Sequence, residues 1–164
     1  MPNTSSARPS LLRDRSGRSL MEMMVVVIII GIIAAMAVPR MFNYVSALRA
    51  GNAANQLAAD IAYTRMMAVR EGRTTVLTLT DATTYTITVE NLDGSVRRTL
   101  RTVRLANTFP GTTLAGDNGV ARLAFDSRGI MKANSATGVT LTRDARRQRL
   151  AITLVGRVTR DAAQ

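Results

Sequence analysis

The sequence predicts an α+β protein in which a long N-terminal helix, partly of membrane length, packs on an antiparallel β-sheet or β-sandwich domain. Three observations predict it. From Leu20 to Val38 every residue except Glu22 is apolar or glycine. Between Tyr44 and Ala68 apolar and small residues recur at spacings of three, four or seven. From Thr74 onward the hydrophobic period changes to two.

Residues 1–17 come first and are polar, with Arg8, Arg13 and Arg15 against Asp14 alone. They carry neither helical nor strand periodicity and read as an address segment. As a helix, Leu20–Val38 would be about 28 Å long at 1.5 Å per residue, close to the hydrocarbon thickness of a bilayer. The arginines ahead of it keep the leader cytoplasmic and send the rest of the chain outward. A carboxylate in hydrocarbon costs roughly 2.5–3.5 kcal/mol at mid-membrane, so Glu22 calls for a job or a partner.

Three readings fit this segment. One is a secretory signal peptide cut at Ala35-Met36-Ala37, and another is a plain signal anchor. The third is a leader of another kind, carried by the Gly17–Glu22 motif.

Pro39 removes one helix hydrogen bond and should bend the helix without ending it. Beyond it, Tyr44, Ala47, Gly51, Ala54, Leu57, Ile61 and Ala68 form one stripe of a helix reaching Glu71, with Gly72 as its C-cap. The opposite face carries Arg49, Asn52, Asn55, Asp60 and Arg70.

In the β region Leu77 and Leu79, then Tyr85, Ile87 and Val89, alternate with polar residues. Leu123 and Phe125, Val139 and Leu141, and Leu150, Ile152 and Leu154 repeat the pattern, giving six or so strands. Asn91–Gly94, Asp117–Gly119 and Ser127–Gly129 supply turns, and Thr108–Gly119 reads as the longest irregular stretch.

Composition excludes much chemistry. With no cysteine there is no disulfide, thiolate nucleophile or cysteine metal site. With no histidine the commonest general base and metal ligand are missing, and Lys132 is the only lysine. No catalytic residue, metal or cofactor is implied. The net charge of +11, almost all from arginine, fits either affinity for phosphate or a solvated basic surface.

Gly17-Arg18-Ser19-Leu20-Met21-Glu22, followed by Val25–Ile30, Gly31 and Pro39, resembles the class III leader of type IV pilins and pseudopilins. That resemblance implies cleavage after Gly17 by a prepilin peptidase on the cytoplasmic face and N-methylation of Arg18 by the same enzyme. It also implies a filament-assembly role for Glu22, paired with the N-terminal amine of a neighbouring subunit, and a helix kink at Pro39. Arg18 departs from the family's usual phenylalanine, and Met21 from its isoleucine or valine.

Ala53–Ile61, Arg65, Ala68, Gly72-Arg73, Phe125–Gly129 and Gly156-Arg157-Val158 further resemble the GspH/FimT group of pseudopilins and minor pilins. The resemblance implies a pilin-like fold with four parts. These are a leader, 1–17; a transmembrane or filament-core helix half, 18–39; an amphipathic half, 40–72; and a β-rich domain, 73–164. The expected function is a structural minor subunit that initiates or caps a type IV pilus or type II secretion pseudopilus. The expected location is the bacterial inner membrane, single-pass with a periplasmic domain, and then the filament. Its expected partners are other pilin or pseudopilin subunits, the peptidase and methyltransferase, and the membrane.

Some FimT-like proteins are DNA receptors for natural transformation, and this supplies an alternative. Arg143, Arg146, Arg147, Arg149, Arg157 and Arg160 crowd the end of the chain, against Asp144 and Asp161, and are the candidate DNA-binding set. The family's Gly-Arg-x-Arg appears here as Gly156-Arg157-Val158-Thr159-Arg160, one residue longer. In a strand Arg157 and Arg160 would face opposite sides.

Overall fold

A computed structural model describes residues 16–144 and 146–161. The chain divides into two compact units, Met1–Asn43 and Tyr44–Gln164. Helix α1 is assigned from Ser16 to Glu71, and Gly17 and Arg18 lie in its first turn. The remainder of the leader, 1–15, lies outside the described residues.

Within the first unit the large apolar side chains from Leu20 to Val38 are all exposed, between 45% for Val26 and 72% for Met21. Val25–Ile30 is an unbroken β-branched run, a poor helix former in water. In hydrocarbon the backbone must satisfy itself internally, and the same run becomes helical. This helix is long and apolar enough to cross a membrane.

In the second unit the later turns of α1 bury Ala53, Ala54, Leu57, Asp60, Ile61, Thr64, Met67 and Ala68. The expected stripe is present from Ala54 onward and needs two corrections. Tyr44 is 65% exposed, because the buried face begins a few turns later, at Ala53. Asp60 is only 2% exposed and sits on the packed face, held there by polar partners described below. Gly72 ends the helix at φ +62°, with its N–H on the Val69 carbonyl and the Arg73 N–H on the Ala68 carbonyl. That pair of bonds is a Schellman cap, whose left-handed residue favours glycine.

Eight strands follow: β1 (Thr75–Asp81), β2 (Thr84–Glu90), β3 (Val96–Arg104), β4 (Thr112–Gly116), β5 (Arg122–Phe125), β6 (Gly138–Arg143), β7 (Arg146–Ile152) and β8 (Val158–Arg160). A short helix, α2 (Leu105–Thr108), joins β3 to β4, and a 3₁₀ turn covers Asp117–Gly119. The strands form two four-stranded antiparallel sheets ordered β3-β2-β1-β5 and β4-β6-β7-β8. One core joins them to α1: Leu57 and Ile61 meet Leu77, Tyr85, Ile87, Leu123 and Phe125 of the first sheet and Val139, Leu141 and Leu150 of the second.

Three strands differ from the sequence expectation. β3 carries Arg97, Arg98, Arg101 and Arg104 and lies at a sheet edge, where one row of partners suffices. A bulge at Leu100 also breaks its alternation, since Ile87 pairs with Arg101 while Thr88 pairs with Thr99. β4 falls inside the stretch expected to be irregular; of its apolar side chains only Leu114 is buried. β7 stops at Ile152, so Leu154 lies in a turn and is 69% exposed.

Candidate assembly site

In the first unit Glu22 stands among exposed apolar neighbours as the third residue of the membrane-length run, and no ion pair to it is found among the described residues. Pro39 lies within the span assigned to α1.

The second unit is tied together by acids that sequence reasoning had placed on the surface or passed over. The Asp60 carboxylate accepts a hydrogen bond from the Tyr85 hydroxyl at 2.5 Å, one from Arg101 at 2.6 Å and one from Gln56 at 3.1 Å. Burial, reinforced by the hydrogen bond to Asp60, pushes the Tyr85 hydroxyl well above its ordinary pKa, so it stays a donor. Arg101 reaches the helix because it pairs with Ile87, whose side chain faces the core. Arg98, opposite Val89, bonds Glu71 at 2.7 Å near the end of α1. On the other face of the first sheet Arg122 reaches the buried Glu90 at 2.7 Å.

The Phe125–Gly129 segment is a tight turn. The Asp126 carboxylate accepts the N–H groups of Arg128 and Ile130, each at 2.9 Å. The Ile130 bond leads in holding its carboxyl below the ordinary carboxylate value, with Arg128 adding to it. Gly129, at φ +75°, offers its carbonyl to Arg65 Nε at 3.0 Å. Gly156, at φ +71°, lies against the same arginine: a Cβ there would stand 2.7 Å from Arg65 Cδ and 3.0 Å from the Phe125 ring. Arg65, Gly129 and Gly156 are thus one packing unit, though far apart in sequence. Gly156→Ala combines a left-handed backbone with a collision, and thermal melting should show a loss of about 1–3 kcal/mol. An unchanged midpoint would show that Arg65 moves freely aside.

The six C-terminal arginines stand in different settings. Arg143 is a strut: Nη1 donates to the Pro110 carbonyl at 2.6 Å, and Nε to Ser46 at 3.3 Å. Arg149 binds both Asp117 and Asp161, whose hydrogen bonds raise its pKa above the ordinary value. Arg146, Arg147, Arg157 and Arg160 are exposed and have no acidic partner among the described residues. Strand register divides them: Arg146 and Arg160 lie on the face of Leu150, and Arg147 on the face of Arg149. Arg157 precedes β8 in the turn. Arg143, Arg146 and Arg147 edge a pocket of about 150 Å³ floored by Ala47, Ala50 and Gly51. Among the described residues no group of acids is placed to hold a metal ion.

Residues 53–156 match the family model for the type II transport protein GspH. Two crystal structures of the type IV minor pilin FimU from Pseudomonas aeruginosa strain PAO1 share the fold. The first has 21% identity and a TM-score of 0.57 over 68% of this chain and 87% of that one. The second, in another crystal form, has 20% identity and a TM-score of 0.55 over 68% and 92%. No curated protein matches the chain. The family model spans the later turns of α1, strands β1 to β7 and the Arg65, Gly129 and Gly156 unit, and stops short of β8. By that match the chain belongs to the GspH family and has a pilin-like fold.

Proposed function

We propose that this chain is a structural, non-catalytic minor subunit, a minor pilin or pseudopilin, that initiates or caps a type IV pilus or type II secretion pseudopilus. The observation that carries this reading is the helix face from Leu20 to Val38, apolar and exposed along its length except for one carboxylate, Glu22. Such a face is stable only in lipid or against other apolar helices, and a filament core offers the second. A prepilin peptidase removes residues 1–17 and methylates the new amine of Arg18. The protein then waits in the inner membrane with residues 40–164 in the periplasm. Glu22 takes the N-terminal amine of a neighbouring subunit as its cation. Pairing offsets the desolvation of both groups, whereas a neighbour out of register leaves a charge buried alone. Pro39 supplies a bend where the membrane half ends.

Mass spectrometry of the intact mature protein tests the reading. The expected N-terminus is Arg18, with one added methyl group. An N-terminus at Met1 or Val38 would reject peptidase processing and return the segment to an anchor or a signal peptide. DNA contact through the C-terminal arginines is the less favoured reading, since Arg143 and Arg149 are held within the molecule and the other four are divided between the two faces of the second sheet and the turn before β8. Phosphate tracking needs several cations presented together.

A further inference from the structure

The second unit exposes an apolar surface that its own fold leaves uncovered. Met66 and Val69 on α1 are each 53% exposed, Ile130 is 41%, Leu154 69% and Val155 58% exposed. Packing shows that these side chains adjoin. A Cβ on Gly129 would stand 3.0 Å from the Val69 side chain, which places Ile130 beside the helix. The Met131 N–H donates to the Leu154 carbonyl at 2.8 Å, joining the two loops. Arg65 packs against a glycine of each loop, Gly129 and Gly156. Around this surface stand Arg70, which shares a shallow groove with Met66 and Val69, and Arg157 next to Gly156, neither with an acidic partner among the described residues, while Arg128, 78% exposed, is paired with Asp126. The acids nearby are already engaged: Asp126 bonds Arg128, and Glu71 bonds Arg98.

We infer that this surface docks a different pilin-like subunit, one that presents an apolar patch with an acidic rim. The inference rests on the filament reading and names one of its contacts. Charge selects the occupant. A second copy of this chain would bring the same arginine rim, Arg70 and Arg157, against this one, and like-charge juxtaposition suppresses such pairing. Nucleic acid would meet the arginines but leave Leu154, Val155 and Ile130 without a partner. An apolar centre inside a charged rim is the anatomy of a protein contact. The exposed leucine and valine cap no core of their own, so their burial against a partner would come with little structural adjustment.

Photo-cross-linking in the native cell tests this. With p-benzoylphenylalanine at Val155 of the full-length chain, irradiation should give a covalent heterodimer. Its partner should carry its own membrane-length N-terminal run with a glutamate. The cross-linked peptide should be apolar with Asp or Glu beside it. Leu154→Asp should lower the yield roughly tenfold, and Arg157→Glu with Arg70→Glu should do the same. Both changes are at exposed positions, so the thermal midpoint should hold and report that the fold is intact. Homodimers alone, nucleic-acid adducts alone, no adduct, or a yield indifferent to Leu154→Asp would each overturn the inference. Sheared filaments from the same cells separate it from the filament reading. Incorporation without the cross-link defeats only the docking surface, and the cross-link without incorporation defeats only the filament role.

Discussion

Replacing Asp60 with alanine should lower the stability of the β-rich unit by about 2–4 kcal/mol. The carboxylate is 2% exposed and binds three side chains, of which the Tyr85 hydroxyl is itself fully buried. Alanine strands that hydroxyl without its acceptor, removes the cation partner of Arg101 and opens a small void beside Leu57 and Ile61. The range stays below that of a wholly buried ion pair because the Arg101 side chain is 48% exposed, and water takes over part of its solvation. Asp60→Asn can keep an acceptor for Tyr85 but loses the charge and turns an N–H2 donor toward the Arg101 guanidinium, so it should fall between wild type and alanine. Urea denaturation of the full chain in detergent, followed by tyrosine fluorescence, reads this as a shift in midpoint at unchanged slope. A shift smaller than about 0.5 kcal/mol would mean that the polar cluster is decoration on an apolar core.

Glu22→Ala should leave membrane insertion intact and reduce the share of the protein found in sheared filaments roughly tenfold or more, since each 1.4 kcal/mol of lost pairing is a factor of ten. Removing a charge from an apolar run makes insertion easier, so a loss of filament signal with a full membrane fraction isolates assembly. Glu22→Gln should behave like alanine, because a neutral amide cannot compensate a buried amine. Normal incorporation of either variant would remove the pairing role assigned to Glu22, whatever the N-terminus proves to be.

The two units were legible to different degrees. The apolar run and the later helix stripe could be read because both follow from local periodicity, and Gly72 because a Schellman cap needs a left-handed residue. Strands β1, β2, β5, β6 and β7 could be read because each has an inward-facing apolar row. β3 was hidden because an edge strand with a bulge can be polar and arginine-rich, and β4 because threonine and alanine fill much of its length. Asp60 was misplaced for a related reason. Its partners Tyr85 and Arg101 are distant in the chain, and a carboxylate without visible partners reads as solvent-facing. The C-terminal arginines looked like one cluster because sequence proximity says nothing about which cations are already paired.

By itself, then, the sequence determined that this is an α+β chain with a membrane-length helix, one carboxylate within it, and no cysteine or histidine chemistry. Those properties are local, or are sums over composition. Only the tertiary structure decided that Asp60 is interior, that Arg143 and Arg149 are engaged within the molecule, and that Arg65 packs against both Gly129 and Gly156 beside an uncovered apolar surface. Each of these depends on strand register and on which residues chain reversal brings within a few ångströms, and pairwise contact at long sequence separation leaves no periodic trace in a single sequence.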